Sequence, residues 1–124
     1  MFHVLVKLDK SSIHGIGLFA AQNIKKDQKV YTANSSLDLM LSEAELARLI
    51  EDEIRTIKHY GFFDRQKQKW HYAFDDIKFC NHSADGNVTS RDGSLVAKRA
   101  ILEGEEITQD YNEFEKLRDK LTKI

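Results

Sequence analysis

Proline is absent from this chain of 124 residues, and cysteine occurs only once. One cysteine cannot close an internal disulfide, so a reducing compartment is the natural expectation. The same count excludes a four-cysteine zinc site. The histidines stand at 3, 14, 59, 71 and 82, with no close pair at a helical or finger-like spacing. No structural metal is therefore expected. Repeats, low-complexity stretches and proline-rich linkers are missing too, and the length suits a single domain over 1–124. No apolar run approaches the roughly 20 residues of a membrane span. The N-terminal "MFHVLVKLDK" lacks the basic start and apolar centre of a secretion signal. These absences point to a cytoplasmic protein, nuclear if its source is eukaryotic, neither secreted nor membrane-bound. A charge excess is missing as well: 19 basic and 20 acidic side chains leave a net charge of −1. That argues against direct nucleic-acid binding, for which "DRQKQKWH" is the only candidate patch.

What is present is a series of short strand signals. Phe2, Val4, Val6 and Leu8 alternate and predict a strand with one buried face. A second strand is expected from Ile16 through Phe19, and "KVYTA" reads as a third. "SEAE" from Ser42 is a capping box opening one helix, with Leu46, Leu49, Ile50, Ile54 and Ile57 as its apolar stripe. Gly61 is a plausible left-handed stop, and "EDE" at 51–53 a solvated face. "YGFFD" and "KWHYAF" predict a hairpin around "RQKQK". "SLVAKRAIL", after the turn "RDG", predicts another strand. Asn112 can cap a terminal helix over 112–124, with Phe114, Leu117 and Leu121 as its apolar positions. The fold class is mainly β with some α.

The segment "FCNHSADGNV", from Phe79 to Val88, carries the cysteine and one histidine. It reads as a fragment of a metal site, as a nucleophile beside its base, or as a polar turn holding a ligand. For the nucleophile reading, no third orienting group is evident beside Cys80 and His82. Cys80 is most simply a small, partly buried filler.

Three blocks taken in order resolve that choice. "HGIGLFAAQNI" stands near the N-terminus, "KFCNHSADGN" in the middle and "GEEITQDY" near the C-terminus. Their content and order resemble the SET domain family of S-adenosylmethionine-dependent protein lysine methyltransferases, over a motif core of about 7–111. The chain resembles the compact SET-only proteins of bacteria and large DNA viruses. It departs from the family pattern at Lys78 (arginine in the family), Ala84 (cysteine) and Gly86 (proline), and no cysteine cluster follows Tyr111. The resemblance implies a β-clip fold of small curved sheets, with the C-terminal segment threaded into a pseudoknot.

It also implies a site. His14, Gly15, Ile16 and Gly17 with Asn81 and His82 would hold S-adenosylmethionine. Asn81 offers donor and acceptor on one amide, and the glycines allow close main-chain approach. Tyr111 matches the catalytic tyrosine, positioning and polarising rather than acting as a strong base. Aromatic walls that disfavour the lysine ammonium are expected from Tyr72 and Phe79, with Trp70 and Phe74 also in view. The implied partner is a basic protein or peptide presenting a lysine, a histone or histone-like protein among the candidates. Asp75, Asp76, Glu105 and Glu106 are expected to make the substrate surface acidic. A homodimer is a further expectation. Two other readings stand beside this one. The chain could be a SET-fold binding module with weak or no catalysis, or a small β protein binding single-stranded nucleic acid through "RQKQKWHY".

Overall fold

The computed structural model describes residues 1–113. The apolar positions of the expected terminal helix lie outside the described residues. Within 1–113 the architecture is mainly β, in two sheets.

The larger sheet is seven-stranded. Strand β1 (Val6–Lys10) and β2 (Ile16–Ala20) form an antiparallel hairpin. Strand β3 (Lys29–Thr32) pairs with β9 (Ser94–Ala97), and β9 with β8 (Val88–Arg91). The "RDG" turn between β8 and β9 forms as expected. Asp92 and Gly93 both take positive φ, 51° and 81°, which suits the right-handed twist of a tight hairpin. The expected first strand is displaced. β1 starts at Val6 rather than Phe2, and its side chains are mostly exposed. Phe2 and Val4 are drawn in by the neighbouring strand instead. Phe2 bridges Tyr31, His3 donates its N–H to the Val30 carbonyl at 2.9 Å, and Val4 is buried.

The C-terminal strand β10 (Glu106–Gln109) joins this sheet from the inside. It pairs antiparallel with β2 and parallel with both β7 (Asn81–His82) and β8. At Gln109 the partners are His82 on one side and Val88 on the other, so β10 is threaded between two strands that precede it. The connection 83–87 therefore arches over β10, which is the pseudoknot. Two residues make the crossing possible. The buried Asn87 works as a short piece of strand: its Nδ2 donates to the Glu106 carbonyl at 2.8 Å and its Oδ1 accepts from the Thr108 N–H at 2.9 Å. Gly86 passes so near the chain beneath that a Cβ there would stand 2.8 Å from the Asp110 nitrogen.

The core lies under this sheet. Leu18, Val30, Val88, Ile101 and Ile107 have no exposed surface, and Ala20, Ala97 and Cys80 fill the gaps between them. Fully burying each large aliphatic side chain is worth about 1.5–3 kcal/mol, so this cluster is the main stabilising element.

The second sheet, three-stranded, is an insert built from β4 (Leu39–Leu41), β6 (Lys69–Tyr72) and β5 (Phe62–Asp64). The expected hairpin is its β5–β6 pair. Before it stand α1 (Glu43–Leu46) and α2 (Glu51–Tyr60). The Ser42 capping box forms in full, but the single expected helix breaks after one turn. Ile50 takes an extended conformation, and the Glu53 carboxylate accepts its N–H at 3.0 Å, starting a second helix. Leu46 and Ile57 turn inward while Ile50 is left exposed, so the stripe is shared between two helices. Gly61 ends α2 in an extended conformation, φ −96°, rather than a left-handed one. Its small size matters for a different reason: a Cβ would meet the Ile57 and His71 carbonyl oxygens at 2.6 and 2.7 Å. Glu51 and Asp52 are solvated and pair with Arg55 on the same helix.

Candidate active site

The 3₁₀ turn Asp76–Phe79 delivers the chain into Cys80, Asn81 and His82 directly beside the end of β10. That placement brings the middle and last sequence blocks together. Tyr111 leaves β10 and turns its hydroxyl back to donate to the Cys80 carbonyl. Its backbone N–H donates to His82 Nδ1 at 3.0 Å, and the two rings stand 5.1 Å apart. The ring is half exposed but its hydroxyl end is inside. Burial, with a smaller contribution from the Cys80 thiol, pushes the phenol up to about 12.

The first block closes against the same point. Asn81 Nδ2 donates to the His14 carbonyl at 3.0 Å and to the Ile16 carbonyl at 3.3 Å, and also to Glu106 Oε2 at 2.9 Å. The Asn81 amide nitrogen is thus spent on holding the 14–17 loop, which sequence reasoning had given to a ligand. Gly15 sits at φ +46°, a left-handed turn that glycine adopts without a steric cost. Nothing lies within 4 Å of where its Cβ would be, so the loop presents an open face flanked by the exposed Ile13, His14 and Ile16. His14, Gly15, Ile16, Gly17, Asn81, His82 and Tyr111 therefore form one neighbourhood.

A cavity of about 360 Å³ opens beside it. Tyr111, Cys80 and Lys78 form one wall, and Tyr31, Tyr60 and His59 are also in its lining. Tyr72 and Phe79 do not line it. They flank Lys78, whose ammonium lies 5.2 Å from the Tyr72 ring and 5.6 Å from the Phe79 ring. Phe79 also packs edge-on against Tyr60 at 5.4 Å. The cavity does have aromatic lining, but Tyr31, Tyr60, Phe62 and Tyr111 supply it. No periodicity marks Tyr31 or Tyr60 for this role, because distant segments supply them.

Sequence reasoning also missed Asp38 and His71, which line the insert side of the cavity. The Asp38 side chain has no exposed surface; it meets His71 Nε2 at 2.6 Å and accepts the Phe74 N–H at 3.1 Å. Half of the expected acidic rim is consumed, while Asp76 and Glu105 stay exposed. Asp75 accepts the Tyr31 hydroxyl at 2.9 Å and is mostly buried, and Glu106 is turned inward. Burial and the Asp75 hydrogen bond together raise the Tyr31 phenol well above its ordinary value.

Cys80 is buried, and burial with the nearby Glu106 charge pushes its thiol up to about 12. It is inert at neutral pH, which removes the nucleophile reading. Among the described residues no three His, Cys, Asp or Glu side chains gather as metal ligands. The "RQKQK" tip is a hairpin turn in which Asp64 accepts the N–H groups of Gln66 and Lys67. Trp70 is packed on Phe63 and gives its indole N–H to Glu43 at 3.1 Å, so it offers no open stacking platform. No helix among the described residues is long and apolar enough to cross a membrane.

The model of the SET domain family matches residues 15–112. The chain belongs to the SET domain family. This SET chain is 32% identical over 119 residues to a histone-lysine N-methyltransferase, H3 lysine-36 specific, of Candida albicans, covering 86% of this chain and 14% of that protein. The Saccharomyces cerevisiae protein of the same description is also 32% identical over 119 residues, covering 86% and 16%. The SET chain thus spans 14–16% of the length of these curated relatives. In fold it resembles Chaetomium thermophilum polycomb repressive complex 2 in an autoinhibited conformation bound to S-adenosylmethionine. That match has a TM-score of 0.65 at 22% identity, over 94% of this chain and 17% of that one.

Proposed function

We propose that the chain transfers a methyl group from S-adenosylmethionine to the side-chain amine of a lysine in a basic protein or peptide. The observation that carries this reading is the Tyr111 hydroxyl, turned into the cavity and held on the Cys80 carbonyl beside Asn81 and His82. The residues present fit the cofactor. The open face over Gly15 gives a ligand direct access to main chain. His14–Gly17 and His82 would hold it, with Asn81 contributing through its main chain and amide oxygen, since its amide nitrogen is taken by the loop and Glu106. When bound, S-adenosylmethionine supplies a methyl group on positively charged sulfur, which departs as a neutral thioether.

The chain's own residues do the rest. A free lysine amine has a pKa of about 10.4 and must lose its proton to attack. The tyrosine-lined cavity disfavours the charged form by desolvation. Tyr111, raised to about 12, keeps its proton at neutral pH. It therefore acts as a fixed hydroxyl that orients the amine and polarises the site. Two hydrogen bonds hold it in place, one from its hydroxyl and one from its backbone N–H. Fixing the reacting groups in a near-attack arrangement supplies most of the acceleration. The relatives' names make a histone the first substrate to try.

Tyr111→Phe tests this. Turnover with labelled cofactor and a histone mixture should fall by about 10²-fold or more, as for loss of a positioned donor. Far-ultraviolet circular dichroism and S-adenosylhomocysteine affinity should stay near wild type. Full turnover in the variant would remove Tyr111 from the chemistry. A wild-type protein that binds the cofactor yet methylates no basic protein would favour the binding-module reading.

A further inference from the structure

Glu106 stands five residues before Tyr111 and has no part in the chemistry above. Its backbone pairs with Phe19 in β2, while its side chain leaves the strand for the loop at the hairpin end. The Ser11 hydroxyl donates to both carboxylate oxygens, at 2.7 and 2.9 Å. Asn81 Nδ2 donates to Oε2 at 2.9 Å. The two donors then reach the same loop from opposite sides. Ser11 Oγ accepts the Ile13 N–H at 2.9 Å and the His14 N–H at 3.3 Å, while Asn81 holds the His14 and Ile16 carbonyls. Gly17 completes the arrangement, since a Cβ there would lie 2.5 Å from Oε2. Only glycine leaves the carboxylate this room.

We propose that Glu106 is a positioning residue that presets the 11–17 loop for the cofactor and ties that loop to the strand leading to Tyr111. The inference rests on the reading of that loop as the cofactor cradle. The physical reason is preorganisation. A loop with a left-handed glycine and exposed Ile13, His14 and Ile16 has little apolar burial of its own. Ordering it on binding would cost conformational entropy that the free protein has otherwise already spent. An ionised carboxylate can accept about four hydrogen bonds and makes each stronger than a neutral acceptor would. A single charge thus orients Ser11 and Asn81 together, and through them both faces of the loop.

The test uses S-adenosylhomocysteine as probe, with calorimetry on wild type, Glu106→Gln, Glu106→Ala and Ser11→Ala. Amide hydrogen exchange is followed over 11–17 in each ligand-free protein. Glu106→Gln keeps the volume and one acceptor but turns an N–H₂ toward a donor, so affinity should fall about tenfold, and about 100-fold in Glu106→Ala, the range for lost bonds to a charged group. Ser11→Ala should cost about tenfold and combine less than additively with Glu106→Gln, since both break one network. The loop amides should exchange faster while β8 and β9 keep their protection. KM for S-adenosylmethionine should rise while kcat at saturating cofactor recovers to within about threefold, a split that general destabilisation would not produce. Should Glu106→Ala fail to fold, Ser11→Ala and the exchange data decide. Wild-type affinity in both Glu106→Gln and Ser11→Ala, with unchanged loop exchange, overturns the inference and leaves the cradle reading intact. A wild-type protein that does not bind the probe overturns both.

Discussion

The seven-stranded sheet and the three-stranded insert face each other across the cavity, and they are held by different forces. The sheet is apolar and closed: Leu18, Val30, Val88, Ile101 and Ile107 are fully buried, and β10 is threaded through its middle. The insert buries few aliphatic side chains, chiefly Leu46 and Ile57. It is fastened by polar and aromatic pairs instead. Asp38 meets His71, His71 stacks on Phe62 at 4.9 Å, and Trp70 reaches Glu43. The sheet side carries the loop, Asn81, His82 and Tyr111, whose placement would decide the proposed methyl transfer. The insert side carries Asp38, His71 and Tyr60, which only need to enclose a side chain. The wall with fewer buried contacts belongs to the low-stability end of the molecule.

The sharpest break of this contrast is in the core. Leu18→Ala should cost about 2–5 kcal/mol in urea unfolding, because the packed sheet cannot close over the cavity left behind. An equally large loss from a change confined to the insert would erase the distinction.

Asp38→Asn should cost less overall, about 1.5–3 kcal/mol, the value of a hydrogen bond to a charged group. It should act locally. Hydrogen exchange should accelerate in β4, β5 and β6 while β8 to β10 remain protected. Uniform acceleration would show that the two sheets open as one unit.

Gly86→Ala probes the threading, at an expected cost of about 1–3 kcal/mol for forced overpacking. Its Cβ would press on backbone atoms of Gln109 and Asp110, which cannot rotate away as a side chain could. Because those residues lead into Tyr111, turnover should fall with stability. A neutral substitution would mean that the arch 83–87 can lift from β10.

The effect that is smallest at neutral pH is a pH dependence of the sheet. Burial pushes the Cys80 thiol from its ordinary value of 9.0 up to about 12 in the folded chain. Below about 9 both states keep the proton and stability does not respond. Between about 9 and 12 the unfolded chain binds fewer protons, so stability declines as pH rises. Cys80→Ala should flatten that slope, and native Cys80 should resist alkylation at pH 8 until the sheet opens.

The turns and caps were legible because local chemistry decides them. Ser42 and Glu45 cap one another across a single turn, and Asp92–Gly93 tolerates positive φ, whatever the rest of the chain does. The three motif blocks were legible through their resemblance to a family, and the mainly β class through the alternation of short apolar segments. Other features went unread because they depend on partners far along the chain. The helix broke at Ile50 when Leu46 and Ile57 found separate places to bury. Gly61 serves a close approach by His71 rather than a left-handed turn. Tyr72 and Phe79 stack on Lys78 while Tyr31 and Tyr60 take the cavity.

Sequence alone determined the residue types at the site: a tyrosine after β10, an Asn-His pair, and glycines at 15 and 17. Their jobs were decided by the tertiary structure. Asn81 has a versatile amide in any fold, but the threading of β10 sets Glu106 and the 14–17 loop against it and commits its N–H groups to them. A side chain's hydrogen-bonding capacity is a property of its own atoms. The partner that uses that capacity is fixed by which distant backbone packing brings within about 3 Å.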